Sequence, residues 1–229
     1  MRAREAFVVG SPPMSSPALR ACVLGPLLAA LVQCVPTAKP EPVVPAPVAL
    51  PPKLVVLVVI DQLPSWSFDV QQRALDGGIA RLIREGVYFP RALYPYAATH
   101  TAPGHATIGT GVPPSVHGVV ANRWLDAASG KMVEVDEDAS APVLDPRGGP
   151  PQAYGISNAH LEVDGLAETL HAARPGAQAI AIGMKGRAAG HMLGRQPDLA
   201  LWFDPTVGAL TSSTHFVQAL PAWVTAFAA

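Results

Sequence analysis

Seven consecutive apolar residues, Leu54 to Ile60 (LVVLVVI), constrain this chain more than any other stretch. The run is mostly β-branched and has no polar face. As a strand it needs cover on both sides, which implies a parallel sheet between helices rather than a half-exposed antiparallel one. Two later runs suit the same sheet: AQAIAIGM (Ala177 to Met184) and LALWF (Leu199 to Phe203). Between the first and second, Gln71 to Val87 places Leu75, Ile79, Leu82 and Ile83 on one stripe with charges between, a helical pattern despite Gly77 and Gly78. Leu166 to Ala173 also reads as a helix. Strands alternating with helices predict an α/β layered domain from residue 54 onward.

The first fifty residues read differently. A basic stretch with three arginines precedes the short apolar run ACVLGPLLAALVQCV, the order of a secretory leader and too short for a comfortable membrane span. Residues 1–35 are therefore expected to be a signal peptide or lipoprotein leader, with Met14 as an alternative start. Leu31 to Cys34 (LVQC) resembles a bacterial lipoprotein cleavage box, and a lipidated Cys34 would tether the protein to a membrane. Residues 36–53 form a proline-rich linker, extended and semi-rigid. Cys22 and Cys34 are the two cysteines, so the domain beyond the linker has neither disulfide nor thiolate ligand to draw on. An exported protein, periplasmic or held at the cell envelope, is the simplest picture. A formal net charge of −1 argues against a protein that coats nucleic acid.

The residues that could carry chemistry follow the strands. Asp61 stands at the carboxyl end of the first apolar run, where the ligand crevice of an open α/β sheet lies; as a bland alternative it is an N-cap or loop aspartate. Thr101, in ATHTAPGHATIGTG (Ala98 to Gly111), precedes a helix start to which Pro103 is suited. A hydroxyl there sits among free N–H groups and the positive end of the dipole, a favourable place for phosphate. Thr99, Thr101 and Thr107 could equally be capping or packing residues, and His105 and His117 read as structural. Asn122 lies within GVVANRW, and Lys185 and Arg187 follow the second buried strand. A hydroxyl, an amide and two cations on one sheet edge would suit a tetrahedral oxyanion.

Taken together, VVIDQ, THTAPGHATIGTGVPPSVHGVVANRW and MKGRAAGH resemble the alkaline phosphatase superfamily in its type I phosphodiesterase/nucleotide pyrophosphatase-like branch. The likeness is strongest to phosphate-irrepressible bacterial alkaline phosphatases. It implies a parallel-sheet-centred α/β/α layered domain over residues 54–229, hydrolysing small-molecule phosphate esters. By the resemblance, Thr101 is the catalytic nucleophile, forming a phospho-threonine, and Asp61 and Thr101 are zinc ligands. Asn122, Lys185 and Arg187 bind the phosphoryl oxygens, and the Lys-x-Arg pair favours monoesters. Metal coordination activates an otherwise poor hydroxyl nucleophile, and paired metals stabilise both attacking and leaving oxygens.

The resemblance also implies two zinc ions whose remaining ligands come from an Asp-x-x-x-His motif, an Asp-His pair and a late histidine. The sequence has no Asp-x-x-x-His motif and no Asp-His pair, and neither histidine after Arg187, His191 or His215, matches. The final LPAWVTAFAA reads as a helix beginning without a stop signal. The expectation is the N-terminal part of such an enzyme, catalytically incomplete as it stands. Two other functions compete: a nucleotide pyrophosphatase or phosphodiesterase, and a non-catalytic remnant that binds phosphate esters.

Overall fold

A computed structural model of the protein describes residues 51–228. The expected leader and most of the expected linker lie outside the described residues. The described residues fall into two units, residues 51–57 and residues from Val58 onward. In the described part of the first, Leu54 to Leu57 are exposed and belong to no strand.

The second unit contains helices α1 (Ser65–Gln71), α2 (Gly78–Glu85), α3 (Thr101–Thr110), α4 (Pro114–His117), α5 (Leu166–Ala173), α6 (Gly186–His191) and α7 (Ala222–Ala228). Its strands are β1 (Arg123–Leu125), β2 (Met132–Glu134), β3 (Glu137–Pro142), β4 (Gly155–Ile156), β5 (Ile180–Gly183), β6 (Leu199–Asp204) and β7 (Ala209–Thr211). The main sheet has the order β5-β6-β7. β5 runs parallel to β6, with Ile180 opposite Leu199, whereas β7 returns antiparallel, with Trp202 opposite Thr211. Two small antiparallel pairs, β1-β2 and β3-β4, complete the strands.

β6 is the centre of this sheet because its sequence is apolar on both faces, and Leu199 to Trp202 are all buried. Trp202 packs among Val143, Ala181, Ala189 and Val207, while Leu199 and Leu201 pack with Val224 of α7. Side chains after β7 stitch the neighbouring segments to the sheet: Ser212 Oγ donates to the Ala200 carbonyl at 2.7 Å and Ser213 Oγ to the Ile156 carbonyl at 2.5 Å. The expected helix at Leu166–Ala173 and the strands within 177–184 and 199–203 are present, and α7 starts within the final segment.

Two expectations are corrected. Val58 to Ile60, like the residues before them, are in no strand; only Val59 is partly covered. An apolar run becomes a strand only when a neighbouring edge supplies its ladder bonds and its faces are packed. β-propensity alone spans about 1 kcal/mol, less than the entropy of ordering the run. The single helix expected over Gln71 to Val87 is broken: α1 passes into a 3-10 turn at Gln72–Ala74, Leu75 is extended, and α2 begins after Gly77. Adjacent glycines, each about 1 kcal/mol poorer than alanine in a helix, place the break there. Ala139 to Pro142, which open a Pro/Gly-rich stretch, belong to β3, and Val143 after them bridges to Ser213 and is fully buried.

Candidate active site

α3 starts at Thr101 because His100 is extended and Pro103, within the first turn, lacks an N–H that the helix could not have used. It ends at Gly111, whose φ of 74° is the left-handed conformation that closes helices and favours glycine. Thr101 through Ala106 are buried. The other end of the helix is pressed against α6 and the residue after it: a side chain on Gly109 would overlap the Met192 and His191 carbonyls. Gly165 in turn lies against the Gly109 carbonyl and Gly194. These close approaches fix the helix that starts at Thr101 against the helix that starts at Gly186.

The hydroxyl of Thr101 donates to Asp61 Oδ2 at 3.0 Å. Asp61 is aimed there by a turn in which Gln62 takes a φ of 62°, a left-handed conformation that costs a non-glycine residue roughly 1 kcal/mol. Lys185 Nζ stands 4.0 Å from the same Asp61 oxygen, as a partly exposed ion pair. Asn122 reaches α3 from the start of β1: its Oδ1 accepts the Ala102 N–H at 2.9 Å. That bond identifies the oxygen and directs the amide's two N–H donors elsewhere; they meet no partner among the described residues. Because Ala102 is engaged by Asn122, Pro103 has no N–H and Gly104 bonds to the His100 carbonyl, the Thr101 N–H is the free donor of the first turn among the described residues.

Arg187, in the first turn of α6, is brought to the same edge but turned to another carboxylate. Its Nη1 is 4.0 Å from Asp136 Oδ1, and its buried Nε has no partner among the described residues. Burial pushes the Asp136 carboxyl up from the ordinary range, while the Arg187 charge and backbone N–H pull it down. Thus Thr101, Asp61 and Lys185 form one direct chain of contacts, Asn122 joins it through the α3 backbone, and Arg187 flanks it.

The histidines near the site are committed internally. His105 Nδ1–H donates to the Thr101 carbonyl at 2.7 Å. His117 Nδ1 accepts the Val119 N–H, so its Nε2–H faces Thr107 Oγ1 at 3.1 Å, and Thr107 meets Tyr96 at 2.8 Å. His191 Nδ1–H donates to the Arg187 carbonyl at 2.8 Å; its Nε2 is buried and unpartnered among the described residues. Desolvation lowers that imidazole to about 4, so it is neutral. Among the described residues no three His, Cys, Asp or Glu side chains gather where they could share a metal ion. Beside Asp61 a cleft opens, lined by Phe68, Tyr88, Phe89, Tyr94 and His100.

Asp136 and His191 escaped the sequence reading. Asp136 lies in the acidic run EVDED, indistinguishable there from a solvated loop charge, and nothing in GRAAGH separates a buried histidine from a surface one.

Comparison with known proteins adds identity to this geometry. Residues 55–193 match the family described as type I phosphodiesterase / nucleotide pyrophosphatase. Alkaline phosphatase PhoK of Sphingomonas sp is 37% identical over 163 residues, which cover 70% of this chain and 28% of that protein. A crystal structure of wild-type alkaline phosphatase PafA superposes with a TM-score of 0.52 and 31% identity, over 57% of this chain and 25% of that one. A second PafA structure, carrying substitutions at a threonine, an asparagine, a lysine and an arginine, superposes with a TM-score of 0.53 and 29% identity over 58% and 25% of the two chains. The chain thus spans less than a third of the length of these relatives.

Proposed function

Because the chain belongs to the type I phosphodiesterase / nucleotide pyrophosphatase family, within the alkaline phosphatase superfamily, we propose that it serves phosphate monoester hydrolysis with Thr101 as the nucleophile. The observation that carries this reading is the buried hydroxyl of Thr101 at the start of α3, hydrogen-bonded to Asp61 with Lys185 beside them. Four residue types altered together in one PafA variant (threonine, asparagine, lysine and arginine) are also, in order, those of Thr101, Asn122, Lys185 and Arg187.

In this reading Thr101 Oγ attacks phosphorus as the ester oxygen leaves, forming a phospho-threonine that water later cleaves. The hydroxyl's proton faces Asp61, which directs the oxygen's lone pairs away from the carboxylate. The Thr101 N–H and the uncommitted amide of Asn122 receive phosphoryl oxygens. Lys185 and Arg187 balance the second negative charge that distinguishes a monoester from a diester. Zinc dependence belongs to the same reading, with Asp61 and Thr101 as ligands. A stable zinc site takes three or four protein ligands, and among the described residues no three His, Cys, Asp or Glu side chains gather to supply one. The described residues do not make a zinc site by themselves, and no step above passes through the metal. Export to the periplasm or cell envelope, on a leader at 1–35 and a linker at 36–53, completes the proposal.

Turnover of an aryl phosphate monoester against the corresponding diester, by the protein isolated from its source with zinc supplied, tests the proposal. Monoester preference is expected, with a loss of roughly a thousandfold or more in Thr101→Ala, the scale at which removal of a nucleophile acts. Clear diester preference would point instead to a nucleotide pyrophosphatase or phosphodiesterase. Phosphate affinity without turnover would point to a binding remnant.

A further inference from the structure

One hairpin links the two helices that carry the candidate site. It begins at Asn122, whose side chain holds the first turn of α3, and the Val135 N–H closes back on the Asn122 carbonyl at 2.9 Å. The next residue is Asp136. Its own carbonyl accepts the Ser157 N–H at 3.0 Å, so its backbone is fixed from two sides. Its side chain, mostly buried at 13% exposure, lies 4.0 Å from Arg187 Nη1. A carboxylate that deep is costly unless a cation answers it. Arg187 does answer it, with its charge and with its backbone N–H at the head of α6. Beyond Asp136 little in the described structure orients the guanidinium, since Nε is buried without a partner and His191 holds only the residue's carbonyl.

We propose that Asp136 is a positioning residue for Arg187, holding the guanidinium at the angle from which it meets a bound phosphoryl oxygen. An arginine's planar fork has value only when its orientation is set, and a long side chain on the short helix α6 cannot set it alone. Because Asn122 and Asp136 are the two ends of one hairpin, the donors on the α3 side and the α6 side are tied to a common rigid element. The role of Arg187 toward phosphate rests on the function proposed above, whereas the Asp136–Arg187 pairing does not.

Two measurements on the whole 229-residue chain separate these parts. The first is the nitrogen-15 resonance of the Arg187 Nε–H group, assigned by its loss in Arg187→Lys. It is expected to shift and broaden in Asp136→Asn, an uncharged isostere, and to recover in part in Asp136→Glu. An unmoved resonance in Asp136→Asn overturns the pairing. The second is a titration with inorganic phosphate. Asp136→Asn is expected to weaken binding roughly threefold to tenfold, the scale of a partly exposed ion pair, and to have no effect in an Arg187→Ala background. Equal weakening in both backgrounds overturns the proposal, because Asp136 would then act on phosphate by another route. If Arg187→Ala leaves phosphate affinity intact, the proposed substrate role of Arg187 fails, and the resonance alone decides the pairing.

Discussion

Residues 58–100 and residues 101–228 follow opposite rules. No residue of the first segment is buried, although it holds the end of the apolar run, Val58 to Ile60, and an amphipathic helix; every buried residue of the described structure is Thr101 or later. The second segment has less conspicuous sequence, with short strands and many small residues, yet it contains three packed clusters. Apolar sequence shows what a segment would gain from burial, while packing depends on what faces it. The candidate site straddles the boundary. Thr101, Asn122, Lys185 and Arg187 stand on the packed segment, and Asp61 alone comes from the open one.

The comparison breaks if a leucine in each segment has the same worth. Leu201 is fully buried in β6 and Leu82 is 70% exposed on α2. Leu201→Ala should cost about 2–5 kcal/mol in urea unfolding, and Leu82→Ala no more than about 0.5 kcal/mol. Similar losses would mean that α2 is buried in solution.

Acid should act on the packed segment through His191. Its folded imidazole stays neutral down to about 4, whereas the unfolded group protonates near the ordinary histidine value of 6.5. Between those values the unfolded chain binds the extra proton, so stability falls as pH drops from about 6.5 to about 4 and then levels. The loss is at most about 3 kcal/mol. His117 and His215, lowered by desolvation, slope the same way. Unfolding midpoints measured across this range should show a shallower acid limb in His191→Gln.

A smaller effect sharpens the role of helix contact. Gly109→Ala adds a methyl group where the Met192 carbonyl already sits. It should destabilise by about 1–3 kcal/mol, whereas Gly77→Ala, with open space around it, should be within about 1 kcal/mol of neutral. Thermal or urea unfolding of the two variants distinguishes them.

What the sequence disclosed divides along the same line. β5, β6 and α5 were legible because their apolar pattern matches partners that are present: the parallel neighbour β6 for Ile180 to Gly183, and a helix that buries Ala167. Ile180 and Ile182 nevertheless remain exposed, so β5 is not buried on both faces as expected. Leu54 to Ile60 carried a stronger signal and formed no strand, since periodicity cannot report whether a neighbouring edge exists. Asp61, Thr101, Asn122 and Lys185 were legible as a set, through residue type and order. Asp136 was not, because its burial and its arginine partner arise from a hairpin and a helix brought together only by the fold. The small-residue contacts at Gly109, Gly165 and Gly194 were equally silent, since close backbone approach leaves no periodic trace.

The most direct test of the central claim is to trap the covalent intermediate. The protein isolated from its source, supplied with zinc and an aryl phosphate monoester, would be quenched in acid during turnover and its peptides mapped by mass spectrometry. A phosphoryl group on Thr101, absent from Thr101→Ala together with turnover, is the predicted result. A phosphoryl group on any other side chain, or turnover that survives Thr101→Ala, would contradict the account.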